Sequence, residues 1–229
     1  MRRCVLFGIA LLAGAGIAAS RGAQGAEAQR VLVLGDSIAA EYGLTRGSGW
    51  VTLLADKAGD RASFINASIS GETTAGGRSR LPGLLAELRP DIVIIELGAN
   101  DALRGLQLAA SEENLDAMVS AARASDAQVL VLGMQVPPNY GRRYTERFAG
   151  IFETVAQRHD AVLVPFLLEK IAEGLDYFQA DRIHPNESAQ PLIALTVWPV
   201  LESMLEGGGT AAGKPATGAR DRDRTGKAG

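Results

Sequence analysis

Five short apolar runs punctuate the chain, at Arg30–Leu34, Ala62–Asn66, Asp91–Leu97, Gln128–Met134 and Ala161–Val164. They are rich in Val, Ile and Leu, the pattern of strands buried on both faces of a sheet. Between them the apolar positions change to helical spacing. Trp50, Leu53, Leu54 and Ala58 fall on one face, as do Leu81, Leu84, Leu85 and Leu88. Leu115, Met118, Val119 and Ala122 repeat the pattern, followed by Phe148, Phe152, Val155 and Ala156. A last amphipathic stretch, Leu192 to Leu205, closes the series, with Ser188 placed to cap it and Pro191 tolerated in its first turn. Strands alternating with helices predict an α/β domain: a parallel sheet covered on both faces and linked by right-handed crossovers.

In such a sheet all strand carboxyl ends share one edge, and ligands bind there. Each notable polar cluster follows an apolar run: Gly35-Asp36-Ser37 after the first, Ser70-Gly71-Glu72-Thr73 after the second, Gly98-Ala99-Asn100-Asp101 after the third. Asp181-Arg182-Ile183-His184 lies beyond the fifth. The topology therefore predicts that four clusters spread over the whole chain meet at one edge.

A serine hydroxyl needs a neighbouring base to act as a nucleophile. The chain has two histidines. His159, in Arg158-His159-Asp160, falls at a helix end before the fifth strand and reads as a cation near a helix C-terminus. His184 falls on the active edge. Asp181, three residues earlier, is placed to accept its Nδ1 proton and leave Nε2 for Ser37. A DxxH pair alone equally suits a stabilised turn; the serine on the same edge is what favours catalysis. Three candidate donors for a developing oxyanion face the same space: the Ser37 N–H, the Gly71 N–H and the Asn100 side-chain amide. Singly, these also read as a turn glycine and a helix-capping asparagine.

The ends of the chain read differently. Met1-Arg2-Arg3, the apolar run Cys4 to Ala19 and a small-residue segment ending Ala26-Glu27-Ala28 form the three parts of a secretory signal peptide (1–28), cleaved after Ala28. The apolar run is shorter than the ~20 residues of a membrane span. Gly207 to Gly229 carries no large apolar side chain and reads as a disordered tail (207–229). Residues 29–206 remain as one domain, large enough for a full core. The single cysteine, Cys4, lies in the leader, so the mature domain folds without a disulfide. The formal charge of −3 and the lack of any evident basic–aromatic mixture in the core argue against nucleic acid as a partner.

Together, Gly35-Asp36-Ser37, Gly71, Gly98-Ala99-Asn100-Asp101 and Asp181-Arg182-Ile183-His184 resemble, in order, the four blocks of the SGNH (GDSL-type) hydrolase family. The segments VLVLGDSIAAEYG, INASISGETTAGGRSRLPGLL, ELGANDALRG, NYGRRY and IHPNESAQP are similar to its bacterial periplasmic thioesterase, lysophospholipase and arylesterase branch. The resemblance implies a three-layer α/β/α sandwich on a flavodoxin-like five-stranded parallel sheet. It implies Ser37 as nucleophile, His184 as base and Asp181 as its partner. The Ser37 amide, Gly71 and Asn100 become the oxyanion hole, and no metal or organic cofactor is expected. Asp36 and Asp101 become structural residues that bond loop amides. An apolar acyl groove is expected from Ile38, Leu103, Val136, Pro137 and Tyr140. Two segments depart from the branch: the loop Gln135–Tyr140 is slightly shorter, and Glu173–Ala180 differs in sequence.

The leading expectation is thus a monomeric periplasmic or secreted serine esterase acting on aryl esters, lysophospholipids and acyl thioesters, with no stable membrane insertion once the leader is removed. Two alternatives use the same edge. One is a metal-dependent phosphoesterase liganded by Asp36, Asn100, Asp101, Asp181 and His184. The other is a non-catalytic α/β ligand-binding domain.

Overall fold

The computed structural model describes residues 27–207. But for a residue or two, the expected leader and tail lie outside the described residues. Five strands form one parallel sheet: β1 (Gln29–Gly35), β2 (Ala62–Asn66), β3 (Ile92–Glu96), β4 (Gln128–Leu132) and β5 (Val162–Val164), in the order β2-β1-β3-β4-β5. The apolar runs fix this. In β3 all five residues are buried, and in β1 the last five are, as expected of strands with layers on both faces. The edge strands β2 and β5 are half-exposed. β4 stops two residues short of the predicted run because Gly133 turns toward β5, where its N–H donates to the Val164 carbonyl.

Six helices follow: α1 (Trp50–Ala58), α2 (Thr74–Leu88), α3 (Ala99–Leu103), α4 (Leu108–Ala124), α5 (Arg142–Arg158) and α6 (Gln190–Leu205). α1 packs on α6 over one face, while α2, α4 and α5 line up over the other, giving the three layers. The predicted stripes supply the contacts: Trp50 and Leu54, Leu81, Leu115 and Val119, and Phe148 with Phe152 are all buried in one continuous core. One expected cap is different. Ser188 does not cap α6; it sits inside a short 3₁₀ turn, Glu187–Ala189, and the Asn186 carboxamide oxygen accepts its N–H at 3.0 Å and its Oγ–H at 2.7 Å. Asn reaches back over the turn, so the hydroxyl becomes a donor rather than a cap.

The strand order sets the site. The chain leaves β1 for one side and returns across it from β2 to β3, so adjacent strands β1 and β3 send their following loops in opposite directions. That switch point opens a crevice at the carboxyl edge. Ser37 lies just past β1 and Asn100 just past β3.

Candidate active site

Ser37 occupies the first turn after β1 and is almost fully buried, at 9 % exposure. Its Oγ lies 3.0 Å from His184 Nε2, across 147 positions of sequence. His184 Nδ1 lies 2.6 Å from Asp181 Oδ2. The other oxygen of Asp181 accepts the N–H groups of Ile183 (2.9 Å) and His184 (3.0 Å), which closes the Asp-x-x-His turn on itself. The hydrogen bond from His184, with those two backbone donors, holds the Asp181 carboxyl down at about 2. It is ionised at any working pH. Arg182 takes a left-handed backbone (φ 59°) inside this turn. The turn is anchored from outside: the Gln179 N–H donates to the His184 carbonyl at 2.8 Å, and its side chain donates to the Tyr42 carbonyl at 2.7 Å. The Tyr42 ring packs on the imidazole at 4.4 Å. Serine, imidazole and carboxylate thus lie in hydrogen-bonded series, an arrangement that can move a proton from Oγ to Nε2.

Among the described residues, the Ser37 and Gly71 N–H groups donate to no protein acceptor. Gly71 holds φ 79°, a left-handed conformation that glycine adopts freely, and Arg104 Nη2 pins its carbonyl at 2.9 Å. Asn100 Nδ2 donates to Asp36 Oδ2 at 2.9 Å, which leaves its second amide hydrogen for another acceptor. Asp101 ties the two donor loops together. Its carboxylate accepts the Thr74 N–H (2.9 Å), the Thr74 hydroxyl (2.5 Å) and the Ser111 hydroxyl (3.2 Å), joining the start of α2 to α3 and α4.

Behind Ser37 lies a pair of carboxyls. Asp36 Oδ1 accepts the Ile38 N–H at 3.0 Å, while the Asp36 N–H donates to Glu96 Oε2, also at 3.0 Å. Burial pushes Asp36 up to about 6, and Glu96, fully buried beside it, well above the usual carboxylate range. Gly35 is required by this packing: a Cβ there would stand 2.7 Å from Glu96 Oε2 and 2.8 Å from the Ala39 methyl. Glu96 was not among the residues expected here, yet a lone acid within the apolar run Asp91–Leu97 was the signal to find it.

The structure thus brings Ser37, His184 and Asp181 together, holds Asn100 on Asp36 beside them, and ties the Gly71 carbonyl to Arg104 at the end of α3. Asp36 and Asp101 bond loop amides, as the resemblance implies. Of the five expected acyl-groove residues, Leu103, Pro137 and Tyr140 are exposed at the same edge, while Ile38 and Val136 are buried in the core. His159 caps α5 and meets Asp116 Oδ1 at 3.0 Å. Among the described residues no three His, Cys, Asp or Glu side chains converge on a metal-sized site. Asp36 and Asp101 spend their oxygens on N–H and O–H donors instead.

With this geometry in view, the pattern of the GDSL-like Lipase/Acylhydrolase family matches residues 33–190, spanning all four clusters. The chain belongs to that family. Among acylhydrolases, it is 49 % identical over 185 residues to the "Esterase TesA" of Pseudomonas aeruginosa, covering 80 % of this chain and 92 % of that one. It is 42 % identical over 169 residues to the "Thioesterase 1/protease 1/lysophospholipase L1" of Escherichia coli K12, covering 74 % and 81 %. The crystal structure of the psychrotrophic esterase EstA from Pseudoalteromonas, inhibited by monoethylphosphonate, superposes with a TM-score of 0.74 at 40 % identity, over 78 % of this chain and 99 % of that one.

Proposed function

We propose that this acylhydrolase cleaves carboxylic esters and thioesters of acyl chains by an acyl-enzyme route, with Ser37 as nucleophile. The 3.0 Å contact between Ser37 Oγ and His184 Nε2, continued to an ionised Asp181, carries this reading. As Oγ attacks the acyl carbonyl, His184 Nε2 takes its proton, and Asp181 stabilises the imidazolium while fixing its tautomer. The Ser37 and Gly71 amides and the free Asn100 hydrogen receive the charge that forms on the carbonyl oxygen. The imidazolium then protonates the departing alcohol or thiol. Water, deprotonated by His184, attacks the acyl-serine, and Ser37 recovers its proton as the acid leaves.

The relatives' names, esterase, thioesterase and lysophospholipase, support this substrate class. Leu103, Pro137 and Tyr140 would border the acyl chain at the rim, over a floor that includes Ile38 and Val136. Every proposed catalytic group comes from one chain, so a monomer suffices. The leader pattern of residues 1–28 supports export to the periplasm or beyond, and no helix among the described residues is long and apolar enough to cross a membrane.

The test is a hydrolysis panel of p-nitrophenyl esters, lysophosphatidylcholine and acyl-CoA on wild type and Ser37→Ala, with an alkylphosphonate as label. Wild type should turn over at least one class and become phosphonylated at Ser37, and Ser37→Ala should do neither. Undiminished hydrolysis by Ser37→Ala would overturn the assignment.

A further inference from the structure

Among the described residues, every large apolar side chain left exposed, except Leu195 on α6, lies on a segment leaving the carboxyl edge of the sheet. Tyr42, Ile69, Leu103, Leu106, Tyr140 and Ile183, each 36–50 % exposed, come from loops after all five strands and ring the crevice that holds Ser37. With Leu175 on the connection after β5, seven of the eight exposed large apolar side chains among the described residues lie on the edge where the Ser37 crevice opens.

Beside this rim stands a basic shoulder. Tyr144 Oη donates to the Ala102 carbonyl at 3.2 Å, joining the first turn of α5 to α3. There, Tyr140, Gly141, Arg142, Arg143, Tyr144 and Arg147 line an open depression of about 510 Å³. The two tyrosine rings stack, with centroids 6.1 Å apart. The segment read in the sequence as free of basic–aromatic character is therefore where the fold makes such a patch, because helical spacing collects residues 140, 143, 144 and 147 on one side. Arg142 makes only a long, exposed contact with Glu146, 3.8 Å. Arg143 and Arg147 have no carboxylate partner among the described residues. These arginines do not serve the helix: α5 has no side-chain N-cap and no acid in its first turn, and cations there oppose its dipole. In a chain of net charge −3, a local excess of positive charge placed against its own helix dipole calls for an external anion.

We propose that the rim and this shoulder together dock the protein on an anionic lipid surface, with the triad facing the bilayer. Apolar side chains enter the headgroup boundary while arginines meet phosphate-bearing headgroups. The apolar rim favours a lipid surface over a polynucleotide, which would need charge without it. The proposal goes beyond acyl transfer and does not depend on it, because docking and soluble-ester turnover are separate measurements.

The test is co-sedimentation of the full chain carrying Ser37→Ala with vesicles of phosphatidylcholine, with and without phosphatidylglycerol, at low and high salt. The expected result is salt-sensitive binding that requires phosphatidylglycerol. Arg143→Glu with Arg147→Glu on that background should cut it by more than about tenfold. Any contribution of the leader is common to both proteins and cancels. In otherwise wild-type protein, the same reversal should leave p-nitrophenyl butyrate hydrolysis unchanged and should not lower the thermal melt, since an acid in the first turn of α5 suits its dipole. Leu106→Ser should weaken vesicle binding without abolishing its dependence on anionic lipid. Equal binding by the reversed protein, equal binding to phosphatidylcholine alone, or no binding at all would overturn the proposal. So would a reversal that acts instead on self-association in size-exclusion chromatography or on binding of a labelled oligonucleotide.

Discussion

Asp36→Asn is the sharpest test of how the site is built, because one carboxylate serves two N–H donors that one amide cannot. Asp36 Oδ1 accepts from the Ile38 backbone at 3.0 Å and Oδ2 from Asn100 Nδ2 at 2.9 Å. An asparagine at position 36 offers one oxygen and one NH₂. The Ile38 amide is fixed in the turn after β1, so the oxygen stays with it and the NH₂ confronts that of Asn100. Two donors face each other, and the Asn100 side chain swings away from the crevice. Loss of one oxyanion donor lowers kcat by roughly 10²–10³-fold. KM should change little, since the donor acts on charge that forms only in the transition state. Steady-state hydrolysis of a p-nitrophenyl ester gives both constants. Asn100→Ala should fall by a similar factor, and the double variant should be no worse than Asn100→Ala alone, because both changes remove the same donor. Near-wild-type kcat in Asp36→Asn would refute the reasoning, as would losses that multiply in the double variant.

Three more outcomes follow from the geometry. Asp181→Asn should keep its oxygen on the Ile183 and His184 amides and turn its NH₂ toward His184 Nδ1, forcing the imidazole proton onto Nε2; kcat should fall roughly 10³–10⁴-fold, and a smaller loss would deny Asp181 its role. Gly35→Ala drives a methyl against Glu96 Oε2, the Ala39 methyl and the Ser68 hydroxyl, so denaturant titration should show a loss of about 1–3 kcal/mol. Stability should also run against pH in an uncommon direction. The Asp36 carboxyl sits at about 6 when folded against an ordinary value of 3.8, so the folded state holds a proton that the unfolded chain releases between those values. Stability is therefore present below about pH 4 and lost as pH rises through 6, by about 3 kcal/mol, and Glu96, raised in the same direction by burial, adds to the loss from its ordinary value upward. Asp181, held at about 2, works oppositely and adds stability as pH rises from about 2 to 4. Urea midpoints measured across pH 4 to 7 should fall in wild type and fall less steeply in Asp36→Asn, where Glu96 alone still holds a proton that the unfolded chain releases.

What the sequence made legible was whatever depends on period and order. Burial on both faces leaves a continuous apolar run in β1, β3 and β4, and the half-exposed edge strands β2 and β5 still keep a short one. Having only two histidines, one at each edge of the sheet, made His184 the evident base. What stayed hidden was every feature set by a partner distant in sequence. Nothing local to Asp101 announces that it clamps Thr74 and Ser111. Ser188 looked like a cap until Asn186 was seen to reach it first. Arg142, Arg143 and Arg147 drew no reading of their own, because their shared depression exists only when α5 packs on α3.

The pair Asp36 and Glu96 shows why such features persist. Two carboxyls buried side by side at the end of the central strands oppose folding at neutral pH, and an apolar pair of the same shape would pack better there. Their hydrogen bonds offset that cost only in part: Glu96 Oε1 has no hydrogen-bond partner among the described residues. The gain lies one bond away. Glu96 accepts the Asp36 N–H and so fixes the residue adjoining Ser37, and the Asp36 carboxylate fixes both the turn that presents Ser37 and the Asn100 amide proposed to receive the oxyanion. A neutral substitute keeps the fold but cannot present two acceptors to two donors at once. Asp36 is therefore retained where stability alone would remove it, and the wild-type urea midpoint falling toward neutral pH is the thermodynamic trace of an electrostatic arrangement set up before substrate arrives.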